Sequence, residues 1–130
     1  MFRIGIIGSD SSHAEAFSSL INIPREGGEL LFPDCRVTGI YGLDLEKTRL
    51  VAEKCKINLV AEALEELYDK VDAVMVVLRD GGLHKEYAMP FIERGIAVWI
   101  DKPFTLKEHE ALELIEAARK SGCLLTGGST

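Results

Sequence analysis

Five short, almost uninterrupted apolar runs, with amphipathic stretches between them, constrain this 130-residue chain more than any other feature. The runs lie at residues 2–7 (FRIGII), 37–41 (VTGIY), 71–78 (VDAVMVVL), 96–100 (IAVWI) and 123–126 (CLLT). A strand covered on both faces has no solvent side, so it reads as a continuous apolar run and not as an alternation. Helical patterns fall between the runs, at about 12–21, 45–55, 61–68, 84–94 and 106–121. Strand and helix repeated in turn predict a doubly wound α/β fold, a mainly parallel sheet with right-handed crossovers and helices on both faces. The length suits one domain over 1–130.

Local signals set the boundaries. Thr105 and Glu108 are spaced as a capping box for the last helix, in which Ala111, Leu114, Ile115 and Ala118 share a face. Lys120 and Gly122 then give a stop signal. Pro90 lacks the backbone donor a helix needs, so it should kink or shorten the helix at 84–94. Residues 22–36 hold two prolines and a Gly-Gly pair and read as a long loop. Asp44 is placed to cap the helix 45–55, and 62–69 (EALEELYD) reads as a solvated helix face. Trp99 falls on a central strand and His109 on an exposed helix face.

Composition removes several classes of function. Apolar residues are 47% and charged residues 28%, a globular balance and not a disordered one. The net charge is −6 with no basic stripe, which speaks against a nucleic-acid partner. The apolar N-terminal run is far too short for a signal segment or a membrane span. Cys35, Cys55 and Cys123 are odd in number and lack metal-ligand spacing, so they read as reduced core thiols of a cytoplasmic protein. No His, Cys, Asp or Glu set predicts a metal.

The turn after the first run carries the first functional signal. Gly8-Ser9-Asp10-Ser11-Ser12-His13 joins a strand to a helix, where backbone N–H groups and a positive helix end suit a pyrophosphate. A dinucleotide fingerprint needs glycine at three places, and Gly8 fills the first. Asp10 stands at the second and His13 at the third. A carboxylate about 5 Å from a phosphate costs roughly 3 kcal/mol at an effective dielectric near 20. Asp10 turned aside to cap the helix would leave Ser11, Ser12 and the helix amides to take the anion. The bland reading is a helix cap with no ligand, His13 packing or capping.

The string VDAVMVVLRDGGLHKEYAMPFIERGIAVWIDKPF at 71–104 resembles the second half of a Gfo/Idh/MocA-type dehydrogenase N-terminal domain. Members carry a strand of the D-A-V-x-V type, a loop with a histidine, a helix, a strand and a Glu-Lys-Pro tripeptide. Here the histidine is His84 and the tripeptide is Asp101-Lys102-Pro103. The opening RIGIIGSDSSHAEAFSSLI is similar to the family's first strand and helix, so the resemblance covers essentially the whole chain.

The resemblance implies a Rossmann-type domain that binds NAD or NADP, within an oxidoreductase acting on a sugar, polyol or related secondary alcohol. It places Lys102 beside the nicotinamide and the hydroxyl being oxidised, with a cis bond to Pro103 permitted. It places Arg79 and Asp101 on the cofactor side of the crevice, and His84 opens a helix near the nicotinamide side, either lining the site or serving as a plain first-turn helix residue. Gly42 stands where an acid usually binds the adenosine ribose. It also implies a C-terminal substrate domain, absent from this chain, through which members form homo-oligomers; without it no small-molecule substrate and no turnover are expected. The alternative is a non-catalytic nucleotide or small-ligand sensor with an eroded glycine motif, favoured by Asp10 and Gly42.

Overall fold

β1 (Phe2–Ile7) leads into α1 (Ser12–Asn22), β2 (Cys35–Tyr41) into α2 (Leu45–Cys55), and β3 (Leu59–Ala61) into a 3-10 turn at Leu64–Leu67. β4 (Ala73–Val76) is followed by a second such turn at Gly81–Leu83, α3 (His84–Glu93), β5 (Ala97–Ile100), α4 (Glu108–Ser121) and β6 (Leu125–Gly127). The structure is a computed structural model that describes residues 1–128; Ser129 and Thr130 of the expected domain lie outside the described residues.

The six strands form one parallel sheet in the order β3-β2-β1-β4-β5-β6. This is the doubly wound Rossmann order, in which the direction of winding reverses between β1 and β4. Successive side chains on β1 serve opposite layers, which is why the run tolerates so little polarity. Ile4 and Ile6 pack with Ala14 and Ile21 of α1 and Val51 and Cys55 of α2. Ile7 packs on the other face with Val74, Phe91, Ile92 and Leu114 from β4, α3 and α4. Each such fully buried side chain is worth roughly 1.5–3 kcal/mol relative to exposure.

Several boundaries differ from the sequence reading. The expected helix at 61–68 is the end of β3, whose three residues pair with Gly39–Tyr41, and then a 3-10 turn. Within it the Glu66 carboxylate accepts from the N–H groups of Glu62 and Ala63, both at 2.9 Å, so the acidic stretch caps its own turn. The Thr105–Glu108 capping box does not form. The Thr105 hydroxyl donates to the Lys107 carbonyl at 2.8 Å, and α4 starts after Lys107 without a side-chain cap. The loop expected over 22–36 is shorter at both ends. Asn22 is buried at the end of α1, where its amide donates to the carbonyls of Val37 at 2.8 Å and Cys55 at 3.0 Å. α3 runs through Pro90 to Glu93. Trp99 is half-buried on β5, one strand from the sheet edge, and not central.

Other signals hold. Asp44 caps α2 by accepting from the Lys47 N–H at 3.2 Å, and α4 ends on Gly122 with φ +73°. Among the described residues no helix is long and apolar enough to cross a membrane.

Candidate functional site

The C-terminal ends of β1, β4 and β5 meet where the winding reverses, the place at which sheets of this order take ligands. Gly8 makes the sharp exit from β1. Its φ is +118°, and a Cβ there would lie 2.8 Å from the Leu78 nitrogen, so only glycine lets the turn press against the end of β4. Two side-chain bonds then bridge the reversal. The Ser11 hydroxyl donates to the Val77 carbonyl at 2.9 Å, and Asp10 accepts from the Arg79 N–H at 3.1 Å. Ser11 stands at the N-cap of α1 but makes no cap bond, and Asp10 makes none there either, contrary to the capping expectation.

Ser9 also turns inward. Its hydroxyl is buried 2.8 Å from that of Thr48, whose single proton goes to the Asp44 carbonyl at 2.7 Å, so Ser9 is the donor of the pair. Gly42 lies over this pair: a Cβ there would sit 2.1 Å from Ser9 Oγ and 2.2 Å from Thr48 Oγ1. The end of β2 therefore has no room for the acid expected there. Of the three serines, Ser12 alone is exposed, in the first turn of α1.

The opposite wall is the corner after β5. Asp101 Oδ1 accepts from the Lys102 N–H at 2.8 Å, and Oδ2 pairs with His13 Nδ1 across the mouth. The Asp101 side chain is 8% exposed and the imidazole 30%. The imidazole leans on Phe17 (5.0 Å between ring centres), and Phe17 meets Trp99 edge-on at 5.5 Å. Lys102 and Pro103 are exposed and joined by a cis peptide bond.

His84, expected to line the cofactor side, is wholly buried. Its Nε2 lies 2.7 Å from the Leu78 carbonyl and its Nδ1 3.2 Å from that of Phe104. It ties the loop after β4 to the loop that carries Lys102 and presents nothing to a ligand. Arg79 enters the mouth through its backbone N–H, and Asp80 is spent on capping the Gly81–Leu83 turn through the Gly82 N–H at 2.8 Å.

The structure thus gathers Gly8, Asp10, Ser11, Ser12, His13, Arg79, Asp101 and Lys102 at the reversal point and withdraws His84 and Ser9 into the interior. The pairing of His13 with Asp101 escaped the sequence reading. Its signal was a double departure: a histidine at the third glycine position, and a shorter acid in the tripeptide that leaves room for it. Thr48 also escaped, because a threonine in the second turn of a helix announces nothing by itself.

A family model described as an oxidoreductase family with an NAD-binding Rossmann fold, GFO_IDH_MocA, matches residues 2–129. The chain is 29% identical over 127 residues to scyllo-inositol 2-dehydrogenase (NADP(+)) IolU of Bacillus subtilis (strain 168), covering 96% of this chain and 36% of that protein. The solved structure of KijD10, a 3-ketoreductase from Actinomadura kijaniata in complex with NADP and TDP-benzene, superposes with a TM-score of 0.80 at 26% identity. That match covers 98% of this chain and 37% of the other. A Gfo/Idh/MocA family oxidoreductase from Vibrio cholerae has the same fold, with TM-score 0.82, 21% identity, and 98% and 38% of the two chains covered. The chain therefore spans little more than a third of the curated relative's length.

Proposed function

This chain belongs to the Gfo/Idh/MocA oxidoreductase family with its NAD-binding Rossmann fold, and we propose that it binds NAD or NADP at the β1–β4 reversal. The enzyme it serves would move hydride between the dinucleotide and a secondary alcohol of a sugar, polyol or related compound. One observation carries the reading. The Gly8 turn, the end of β4 and the Asp101-Lys102-Pro103 corner open together at one mouth.

The residues present suit the group. The side-chain-free Gly8 turn, the backbone donors that open α1 and the exposed Ser12 hydroxyl would hold the diphosphate. The crowded Gly42 leaves no carboxylate at the end of β2 to bind the adenosine ribose or to repel a 2′-phosphate, which favours NADP. The NADP in the names of IolU and the KijD10 complex supports that preference. The bound dinucleotide supplies the hydride acceptor; Lys102 would stand by the reacting hydroxyl, its ammonium stabilising the developing alkoxide. The substrate pocket, and any homo-oligomer contact, would come from a second domain such as the relatives' extra length provides. Three free thiols, Cys35, Cys55 and Cys123, suit a reducing cytoplasm.

A titration with NADPH and NADH tests the reading, followed by Trp99 emission, energy transfer to the nicotinamide, and melting temperature. Binding of NADPH in preference to NADH is expected. No response to either dinucleotide at about millimolar concentration would refute it. The second reading, a ligand-binding module without catalysis, draws on one feature: the Asp10 carboxylate fixed at the mouth. Binding of a phosphate-free ligand and of neither dinucleotide would favour it.

A further inference from the structure

Two of the three fingerprint glycines are replaced in this turn, one by an acid and one by a base. Asp10 stands at the second position and His13 at the third, both beside the Gly8 turn. An acid alone would weaken the hold of such a turn on an anion. The other charged groups around this mouth are Arg79 after β4, and Asp101 and Lys102 after β5. Further along α1, Glu15 is engaged by Lys54 of α2 at 3.2 Å.

His13 is the second residue of α1, after the Ser11 N-cap, so it belongs to the turn whose backbone donors open the helix. Its ring crosses from there to the corner after β5, where Nδ1 pairs with the nearly buried Asp101 carboxylate. Phe17 leans on the ring and limits its rotation. The two nitrogens of an imidazole point apart, so Nε2 is directed away from Asp101. It has no hydrogen-bond partner among the described residues, on a side chain that remains 30% exposed. His84, by contrast, has a carbonyl facing each ring nitrogen. A carboxylate at Nδ1 selects the tautomer with the proton there, so neutral His13 presents a bare lone pair at Nε2, which repels an anion. An imidazolium carries a proton on both nitrogens and donates from each.

We propose that His13 binds the diphosphate of the dinucleotide as an imidazolium, taking up a proton at Nε2 as the cofactor binds, with Asp101 and the diphosphate as its two anionic partners. The proposal deepens the dinucleotide reading above and rests on it. The proton comes from solvent and forms the Nε2–H bond; no bond of the cofactor breaks. The positive charge offsets the Asp10 carboxylate in the same turn, which accounts for an acid beside a phosphate site. Asp101 also accepts from the Lys102 N–H, so the carboxylate that orients the ring holds the backbone of Lys102 as well.

The test follows His13 itself, by nitrogen-15 NMR of histidine-labelled protein titrated over pH with and without saturating NADPH. With NADPH bound, the His13 midpoint should move to higher pH by about one unit or more, while that of exposed His109 stays in place. By reciprocity, protonation of His13 should strengthen NADPH binding by about tenfold or more. His13→Gln keeps a donor but cannot become charged. It should bind NADPH about tenfold more weakly than wild type where the wild-type ring is charged, and about equally where that ring is neutral. A midpoint that stays in place or moves to lower pH overturns the proposal, as does a His13→Gln protein that matches wild type throughout. A mere tie between α1 and the corner after β5 would lower the melting temperature of His13→Gln but leave the wild-type midpoint unmoved by NADPH. Absence of any response to NADPH or NADH is failure of the dinucleotide reading, and this proposal falls with it; NADPH binding with an unmoved midpoint is failure of this proposal alone.

Discussion

Asp10 accepts a hydrogen bond from the backbone N–H of Arg79 at 3.1 Å, which anchors the carboxylate that replaces a fingerprint glycine across the reversal between β1 and β4. The bond explains how an acid is tolerated in this turn: it satisfies a donor at the end of β4. The negative charge remains at the mouth. Asp10→Asn keeps an acceptor for Arg79 and removes the charge, so NADPH should bind about tenfold tighter at low salt, or 1.4 kcal/mol. Asp10→Ala also strands the Arg79 N–H and should lower stability by about 1 kcal/mol. Calorimetric titration of both variants checks this; equal affinity of Asp10→Asn and wild type would show that the charge is directed away from the diphosphate.

Gly42 gives a steric prediction. Placing an acid at the end of β2 is the obvious way to build NAD preference, but a Cβ there would meet Ser9 Oγ at 2.1 Å and Thr48 Oγ1 at 2.2 Å. Neither neighbour is the loose end of a long side chain, and the two are bonded to each other. Gly42→Ala should therefore destabilise by about 1–3 kcal/mol, and Gly42→Asp by at least as much. Adding Ser9→Gly and Thr48→Ala should recover part of the loss in urea denaturation. A Gly42→Ala protein as stable as wild type would mean that the β2 end yields easily.

The doubly wound sheet was legible because both of its signals are local and repeated: apolar runs that admit no polar side, and helices with one apolar face. The misses arose where a non-local partner decided the outcome. Leu59–Ala61 reads as the approach to a helix until Gly39–Tyr41 pairs with it. Thr105 and Glu108 have capping-box spacing, but the hydroxyl bonds to Lys107 instead. At the site, sequence drew attention to residues that the fold gathers at the reversal, without saying which way they face. His84 and His13 look alike in a string, and only packing makes one a buried strut and the other an open-faced ring.

The buried strut can be tested directly. Two carbonyl acceptors face the His84 ring, and the 2.7 Å contact at Nε2 marks that nitrogen as the donor to Leu78. His84→Ala removes this donor and leaves a void between the loops after β4 and β5, for an expected loss of about 2–5 kcal/mol. The loop holding Lys102 should lose protection first, so amide hydrogen exchange over residues 101–106 should speed up more than that of β1. A loss below about 1 kcal/mol with unchanged exchange would show that His84 is not the tie between these loops.

Two exposed ion pairs, Arg3–Asp72 and Lys85–Glu113, give a modest acid-stability prediction. Hydrogen bonds from the Arg3 side chain, and then from its backbone N–H at 2.8 Å, hold the Asp72 carboxyl below its ordinary range. On α3 and α4 the Lys85 side chain does the same for Glu113. A carboxyl whose folded pKa is depressed contributes stability that is present above its unfolded pKa and is lost as pH falls through the folded one. Lys85, raised by the same contact with Glu113, stays charged throughout that range and adds no slope there. Melting temperature should therefore fall as pH drops below about 5, and Asp72→Asn should flatten part of that fall by lowering the melting temperature slightly at neutral pH while changing it little at acid pH. Both carboxylates are solvent-exposed, so the effect should be small and should shrink as salt is raised. A fall that keeps its full slope in the Asp72→Asn, Glu113→Gln double variant would assign the acid transition to other groups.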